Sequence, residues 1–383
     1  MTKALISILA VTILFITSCT TKNINYDDVN KWGTLETAQK LSWRAVHLLH
    51  YNNDQDLEEL ATHIPKLAKM GINKIILEVD YHFTFESHPE LRQTDNTITK
   101  AGAQKFTQVC RTNGIDIIPQ FQCVGHQSWA KDTYKLLEVY PELDLTPNAF
   151  PDNEGLYCRE WDVTNPRVYE IVFPLMDEII DAFDAKAMHV GMDEIFLLGS
   201  DESPSTKGQN SAKLYAKAVN DIYQHLVIEK GVEMLMWGDR LIDANEINYG
   251  EWESSANGTA PAIDIIPKDI IICDWHYESF ESYKNVNPDE FTTTLKGSNN
   301  AFKKLESDEF LSIPMFIEKG FRVLPTSWRE VKNMENLLYY SLLQNNPKML
   351  GHLFTLWSSN KGDKLIKYSP MVEGLKMGKP FFK

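Results

Sequence analysis

The stretch AKAMHVGMDEIFLLG, Ala185 to Gly199, joins a short apolar run to two adjacent carboxylates, Asp193 and Glu194, and then turns apolar again. Acidic pairs ordinarily sit on hydrated surfaces, so a pair closing what reads as a buried strand needs a reason. Runs of the same kind recur along the chain: RAVHLLH from Arg44, NKIILEV from Asn73, IDIIPQF from Ile115, EMLMWG from Glu233, DIIICDW from Asp269, FRVLP from Phe321 and MLGHLFTLW from Met349. Near-continuous rather than alternating apolarity indicates strands buried on both faces. Between them lie amphipathic stretches at helical spacing, such as DLEELATHIPKLAKMG, AGAQKFTQVCRTNG and NSAKLYAKAVNDIYQHLVIEKG, each ending in the Gly that suits a helix C-terminus. Strand and helix in alternation predict parallel βαβ units, and eight runs is the count that closes an α/β (β/α)8 TIM barrel.

In that barrel, chemistry gathers at the C-terminal ends of the strands. Polar and aromatic residues stand there in nearly every run. His126 follows the third, Asp193 and Glu194 the fourth, and Trp237 and Asp239 the fifth. Trp275 and Tyr277 follow the sixth, Trp328 the seventh and Trp357 the eighth. A doubly wound open sheet is the alternative, but no GxGxxG turn follows the first strand. The segment from Tyr249 to Asp264 reads as a surface loop.

Composition is that of a globular protein, 43% apolar and 24% charged. The 53 acidic against 38 basic residues give a net charge of −15, which argues against nucleic acid or anionic lipid as partner. The 9 Trp, 15 Tyr and 18 Phe suit either a sugar-stacking site or a large core. At the N-terminus, Lys3 precedes an apolar run from Ala4 to Ile16, too short to span a bilayer and read as a signal peptide. Its end, Ile16-Thr17-Ser18-Cys19, resembles the lipobox of bacterial lipoproteins, in which the cysteine is lipidated; a signal peptide cut elsewhere is the alternative. The division expected is a signal peptide over 1–18, a polar tether over 19–40 and the barrel over 41–383, exported and lipid-anchored to a bacterial membrane on its periplasmic or cell-surface face. Cys110, Cys123, Cys158 and Cys273 show no metal-ligand spacing and read as free and mostly buried.

Two carboxylates at one strand end repel, and burial penalises both charges, so one is expected to stay ionised and the other to hold a proton. That division suits glycoside hydrolysis, where a protonated acid donates to the leaving oxygen. Sequence neighbours point to opposite faces of a regular strand, so the strand must end at or before the pair if both are to reach one site. So close a pair leaves little room for one carboxylate to attack while the other protonates. It suits the substrate-assisted route better, with the sugar's own 2-acetamido oxygen attacking. Capping of a following helix accounts for the same spacing equally well.

His189-Val190-Gly191-Met192-Asp193-Glu194 resembles the H-x-G-G-D-E motif of glycoside hydrolase family 20, the β-N-acetylhexosaminidases. Trp43 to His47 resembles the opening of that family's first strand, Ile117 to His126 its V-I-P-E-I-D-x-P-G-H, and Leu356-Trp357-Ser358-Ser359 its L-W-T-E. The hexosaminidase D-like branch is closer still, through Leu77-Glu78-Val79-Asp80-Tyr81, Pro119 to His126 and Gly191 to Gly199. The resemblance implies a retaining, exo-acting enzyme without metal or cofactor, acting on N-acetylhexosamine-containing glycans. In it Asp193 orients the acetamido group and Glu194 is the general acid and base. Arg44 is expected to bind sugar hydroxyls, Trp237, Trp275 and Trp357 to line the sugar pocket with Trp328 at the seventh strand end, and Tyr277 to donate to the acetamido oxygen. His126 and His189 are expected to brace the acids through hydrogen bonds, His126 also counting among the substrate-binding residues, and Asp239 to bind a hydroxyl or cap a helix. Met192, Gln120, Gln122 and Ser359 depart from the larger family's pattern, Ser359 standing where its eighth-strand Glu holds a sugar hydroxyl. A silent glycan-binding lipoprotein and a barrel glycosidase with a direct carboxylate nucleophile are the competing readings.

Overall fold

The computed structural model describes Trp32, Leu35 and residues 37–247, 249–250, 252–280, 282, 309–358 and 361–383. The signal peptide, Cys19 and Ser359 lie outside the described residues. All eight apolar runs form strands: β1 (Trp43–Leu48), β2 (Lys74–Glu78), β3 (Asp116–Cys123), β4 (Ala187–Gly191), β5 (Glu233–Trp237), β6 (Ile271–Trp275), β7 (Arg322–Ser327) and β8 (Gly351–Leu356). Each pairs in parallel with its sequence neighbour, and β8 returns to β1 with Trp43 opposite Gly351, so the sheet closes into a barrel with no free edge. The approach there is tight: a Cβ on Gly351 would stand 1.8 Å from the Trp43 carbonyl oxygen, which only glycine permits.

Every strand contributes to the barrel interior. Ala45, Ile76, Ile118, Ala187, Leu235, Ile271, Leu324 and Leu353 form one buried cluster with Cys273, Trp237 and Trp275. Burying such side chains stabilises the fold by roughly 1.5–3 kcal/mol each for the larger ones. Two residues further along the strands the inward set turns polar, with His47, Gln120 and His189 all buried. The change of chemistry toward the C-terminal ends is what prepares a site there.

The helices α1 (Asp54–Ala61), α2 (Ile64–Met70), α3 (Lys100–Thr112), α4 (Pro166–Phe183), α5 (Ser211–Tyr223), α6 (Ser312–Glu318), α7 (Val331–Leu343) and α8 (Ser369–Gly378) follow the strands. The stretch expected as one helix after β1 is split at Thr62-His63, with Pro65 in the first turn of α2 and left-handed Gly71 ending it. Asn165 caps α4, accepting from the Arg167 amide, and Asn210 caps α5, accepting from the Lys213 amide. The four cysteines named above are free and buried. Among the described residues no helix is long and apolar enough to cross a membrane.

Much of the segment expected as a surface loop, Tyr249 to Asp264, is instead packed inward. Tyr249, Glu253, Ser254, Ser255 and Thr259 are buried. The Arg240 guanidinium donates to the carbonyl oxygens of Trp252 and Ser254 at 3.0 and 2.9 Å, satisfying backbone that water cannot reach. Polar composition suggested a solvated loop; here the polar groups bond one another.

Candidate active site

β4 ends at Gly191, two residues before the acidic pair, as simultaneous access requires. The backbone then turns through left-handed residues, Gly191 at φ +66°, Met192 at +72° and Glu194 at +50°. Non-glycine residues are rarely held so, and such strain collects at functional sites. Gly191 also has no room for a Cβ, which would meet the Gln122 side chain at 2.1 Å. The next helix begins only at Ser211 under the Asn210 cap, so Asp193 and Glu194 do not cap it. Asp239 Oδ2 accepts from the Glu194 amide at 2.9 Å, and Glu160 Oε1 from the amides of Phe196 and Leu197 at 2.6 and 2.9 Å. These buried carboxylates hold the turn.

Both acids open into a cavity of about 510 Å³ at the C-terminal mouth of the barrel. His126 Nε2 lies 3.3 Å from Asp193 Oδ2 and 3.1 Å from Glu194 Oε2. Gln122 Nε2 donates to Asp193 Oδ1 at 2.6 Å, and the Tyr157 hydroxyl to Glu194 Oε2 at 2.6 Å. Burial opposes charge on Asp193, but the His126 imidazolium and the Gln122 amide outweigh it and hold the carboxyl below the usual aspartate range. Burial likewise opposes charge on His126, and the neighbouring carboxylates outweigh it, holding the imidazole well above its ordinary value. Behind Gln122, Gln120 Nε2 reaches Gln122 Oε1 at 3.4 Å and Gln120 Oε1 accepts from His47 Nε2 at 3.0 Å. Burial lowers His47 to about 4, so it is neutral and can hold one tautomer.

Two more carboxyls, Glu78 and Asp80, line the cavity. Burial, reinforced by Asp80, raises Glu78 well above the carboxylate range. Burial also pushes Asp80 up to about 7, although the Gln122 amide donates to its Oδ1 at 2.7 Å. Of Asp193, Glu78 and Asp80, Asp193 is the one its surroundings favour as an anion.

The aromatic wall comes from β6, β7 and β8. Trp275 and Tyr277 stack with centroids 4.8 Å apart, and Trp328 meets Tyr277 edge-on at 5.3 Å. The Trp357 indole donates to the Tyr277 oxygen at 2.6 Å, so the tyrosine's own proton remains to be donated. Tyr277 is placed from behind, its amide reaching Glu253 Oε1 at 3.3 Å. Glu253 and Asp274 flank buried His276, whose pKa they push up to about 9 against the effect of burial.

Asp193, Glu194, His126, Trp275, Tyr277, Trp328 and Trp357 therefore share one cavity. Three expected ligands do not line it. Arg44 sits at the opposite, N-terminal end of β1, where its guanidinium donates to the backbone oxygens of Gly71 and Lys383 and lies over the Phe382 ring. Trp237 is core, 1% exposed, and packs on His47 and His189 behind Trp357. Asp239 is also buried and spends its oxygens on Arg240, the Glu194 amide and the Trp275 indole. His189 braces as expected: buried and neutral, its Nδ1 accepts from the Gly191 amide at 3.1 Å.

Sequence reasoning missed Tyr157, Trp129, Tyr134 and His50. The first three come from the long segment after β3, whose placement over the fourth strand no local pattern announces. Glu78, Asp80, Gln120 and Gln122 stood within the quoted motifs and were legible as site residues. Among the described residues, the one group of side chains able to offer three ligand atoms to a cation is His126, Asp193 and Glu194, within 4.8 Å of one another. Protonation of His126 competes with that role.

The family model for the glycosyl hydrolase family 20 catalytic domain matches residues 40–362. A lacto-N-biosidase of Bifidobacterium bifidum is 24% identical over 230 residues, 57% of this chain and 20% of that protein. Hexosaminidase D of Bos taurus is 23% identical over 212 residues, 53% of this chain and 57% of that protein. The chain thus spans less than two thirds of the length of either relative. Among solved structures, a Flavobacterium johnsoniae chitobiase shares the fold with a TM-score of 0.58 at 15% identity, over 88% of this chain and 48% of that one. With its barrel covered almost end to end by the family model, the chain belongs to glycosyl hydrolase family 20.

Proposed function

We propose that the protein is an exo-acting, retaining β-N-acetylhexosaminidase that works by substrate assistance. The observation that carries this reading is the pairing of Asp193, held ionised, with Glu194 on the same side of one aromatic-walled cavity. A terminal N-acetylhexosamine would place its acetamido N–H on Asp193 and its carbonyl oxygen near the Tyr277 hydroxyl. That oxygen attacks C1 as the bond from C1 to the leaving oxygen breaks, and Glu194 gives its proton to the leaving oxygen. Asp193 stabilises the positive charge that develops on the acetamido group. Water then adds to C1 from the vacated side, giving its proton to Glu194 as the bond to the acetamido oxygen breaks. Two inversions amount to retention. Tyr157 and His126 both engage Oε2 of Glu194, which leaves Oε1 to carry the transferred proton.

A direct carboxylate nucleophile is less well supported. Glu78 and Asp80 are the other carboxyls in the cavity, and burial opposes charge on both, raising Glu78 well above the carboxylate range and Asp80 to about 7, which lowers the anionic fraction either has for attack. The similarity to a hexosaminidase D and a lacto-N-biosidase supports an N-acetylhexosaminide as substrate.

A panel of p-nitrophenyl β-glycosides tests the proposal. Release from the N-acetylglucosaminide or N-acetylgalactosaminide should exceed that from the plain glucoside by at least about 10²-fold, a floor well below the effective molarities of about 10⁵–10⁸ M that an oriented internal nucleophile reaches. A protein inert on both N-acetyl substrates is not this enzyme, and equal rates on all three rule out assistance. Export and lipid anchoring rest on the sequence of residues 1–19 alone. Metabolic labelling with palmitate should mark the wild type and not Cys19→Ala; equal labelling sinks the anchor.

A further inference from the structure

Trp129 is 56% exposed, and of the large apolar side chains left exposed among the described residues it alone lines the cavity. It is also presented rigidly. Ser128–Trp129 pairs antiparallel with Asp132–Thr133, and Ala130 takes the left-handed turn at φ +51°. Neighbouring Ser128 is buried, its Oγ accepting from the Arg159 amide at 2.9 Å, and the Tyr134 amide closes the base of the ribbon on the Gln127 carbonyl oxygen at 2.8 Å. An indole held this firmly yet left uncovered has a surface to offer a ligand.

Its position says which part of a ligand. The Trp129 ring meets Tyr157 edge-on, with centroids 6.0 Å apart and planes at 77°, and the Tyr157 hydroxyl donates to Glu194 at 2.6 Å. A general acid stands beside the leaving oxygen by the requirement of its chemistry, so the leaving group lies on the Glu194 side, outward from Tyr157. We infer that Trp129 is the platform for the leaving group, its indole covering the apolar C–H face of the sugar ring next along the glycan. The platform rests on the glycosidase reading above. It makes the enzyme selective for substrates whose leaving group is itself a ring, and it takes no part in proton transfer. The occupant is an uncharged pyranose, because the indole supplies apolar contact and no charge.

The test uses two donors of whichever N-acetylhexosamine the panel shows to be cleaved: a β-linked disaccharide and the glycosyl fluoride, whose leaving group is too small to reach Trp129. Trp129→Ala should lower kcat/KM on the disaccharide about tenfold, the worth of one aromatic contact, and change it less than about twofold on the fluoride. Trp129→Phe should keep most of the disaccharide rate. Equal losses on both donors, or no loss on the disaccharide, overturn the platform while leaving the activity standing. A wild type inert on both donors overturns the activity and the platform with it.

Discussion

Glu194→Gln should abolish turnover of an N-acetylhexosaminide with a poor leaving group, by about 10²–10⁴-fold in kcat, without loss of fold. The amide keeps the shape of the carboxyl and still accepts the Tyr157 hydroxyl on its oxygen, so circular dichroism and the melting temperature should stay near wild type. On the proposed mechanism, what disappears is the proton that Oε1 gives to the leaving oxygen. A substrate with a dinitrophenyl leaving group needs little protonation, so the first step of Glu194→Gln should recover most of its rate there. A variant equally slow on both leaving groups would place Glu194 outside acid catalysis.

Asp193→Asn should cost about 10²–10³-fold in kcat, the range seen when one electrostatic contact to a transition state is removed. In the proposed mechanism the carboxylate opposes the charge growing on the acetamido group, and a neutral amide cannot. The loss should therefore be large on an N-acetyl substrate, and acetamido-independent hydrolysis should be unaffected. The pH dependence has a definite sign. The folded-state pKa of Asp193 is depressed, so its ionised form and the stability it contributes are present above the unfolded value near 3.9 and are lost only as pH falls through the lower folded value. Protonation of Asp193 therefore does not set an acid limb of kcat/KM above about pH 4. His126, raised by the same contact, should titrate at a lower pH in Asp193→Asn. Histidine proton resonances followed against pH measure this directly, and an unmoved His126 would mean the pair does not interact.

How much of this was legible beforehand follows from which interactions are local. The barrel was readable because a strand buried on both faces must be apolar throughout its length, and eight such runs separated by helical periods leave few ways to close. The acidic pair was readable as a site through its resemblance to the H-x-G-G-D-E motif, since a helix cap fitted the same spacing equally well. Arg44 was misplaced for a physical reason. It opens its strand, and an inward-reading motif does not say that the N-terminal end of a parallel strand lies on the far side of the barrel from the chemistry. Trp237 and Asp239 were misjudged by one layer, since an indole packs in a core as readily as in a pocket, as Trp237 does on His47 and His189, and a carboxyl does so once its oxygens are bonded. Asp239 is so bonded.

By itself, the sequence determined the strand count, the parallel closure and the position of Asp193 and Glu194 at the end of the fourth strand, since each follows from hydrophobic period and local turn chemistry. Only the tertiary structure decided what holds Asp193 charged and what seats Glu194. The pKa of Asp193 depends on His126 and Gln122 from the neighbouring β3 segment, and the seating of Glu194 on Tyr157 and Asp239. These partners lie 37 or more residues away along the chain, and a Coulomb interaction or a hydrogen bond reads distance in space, not along the chain.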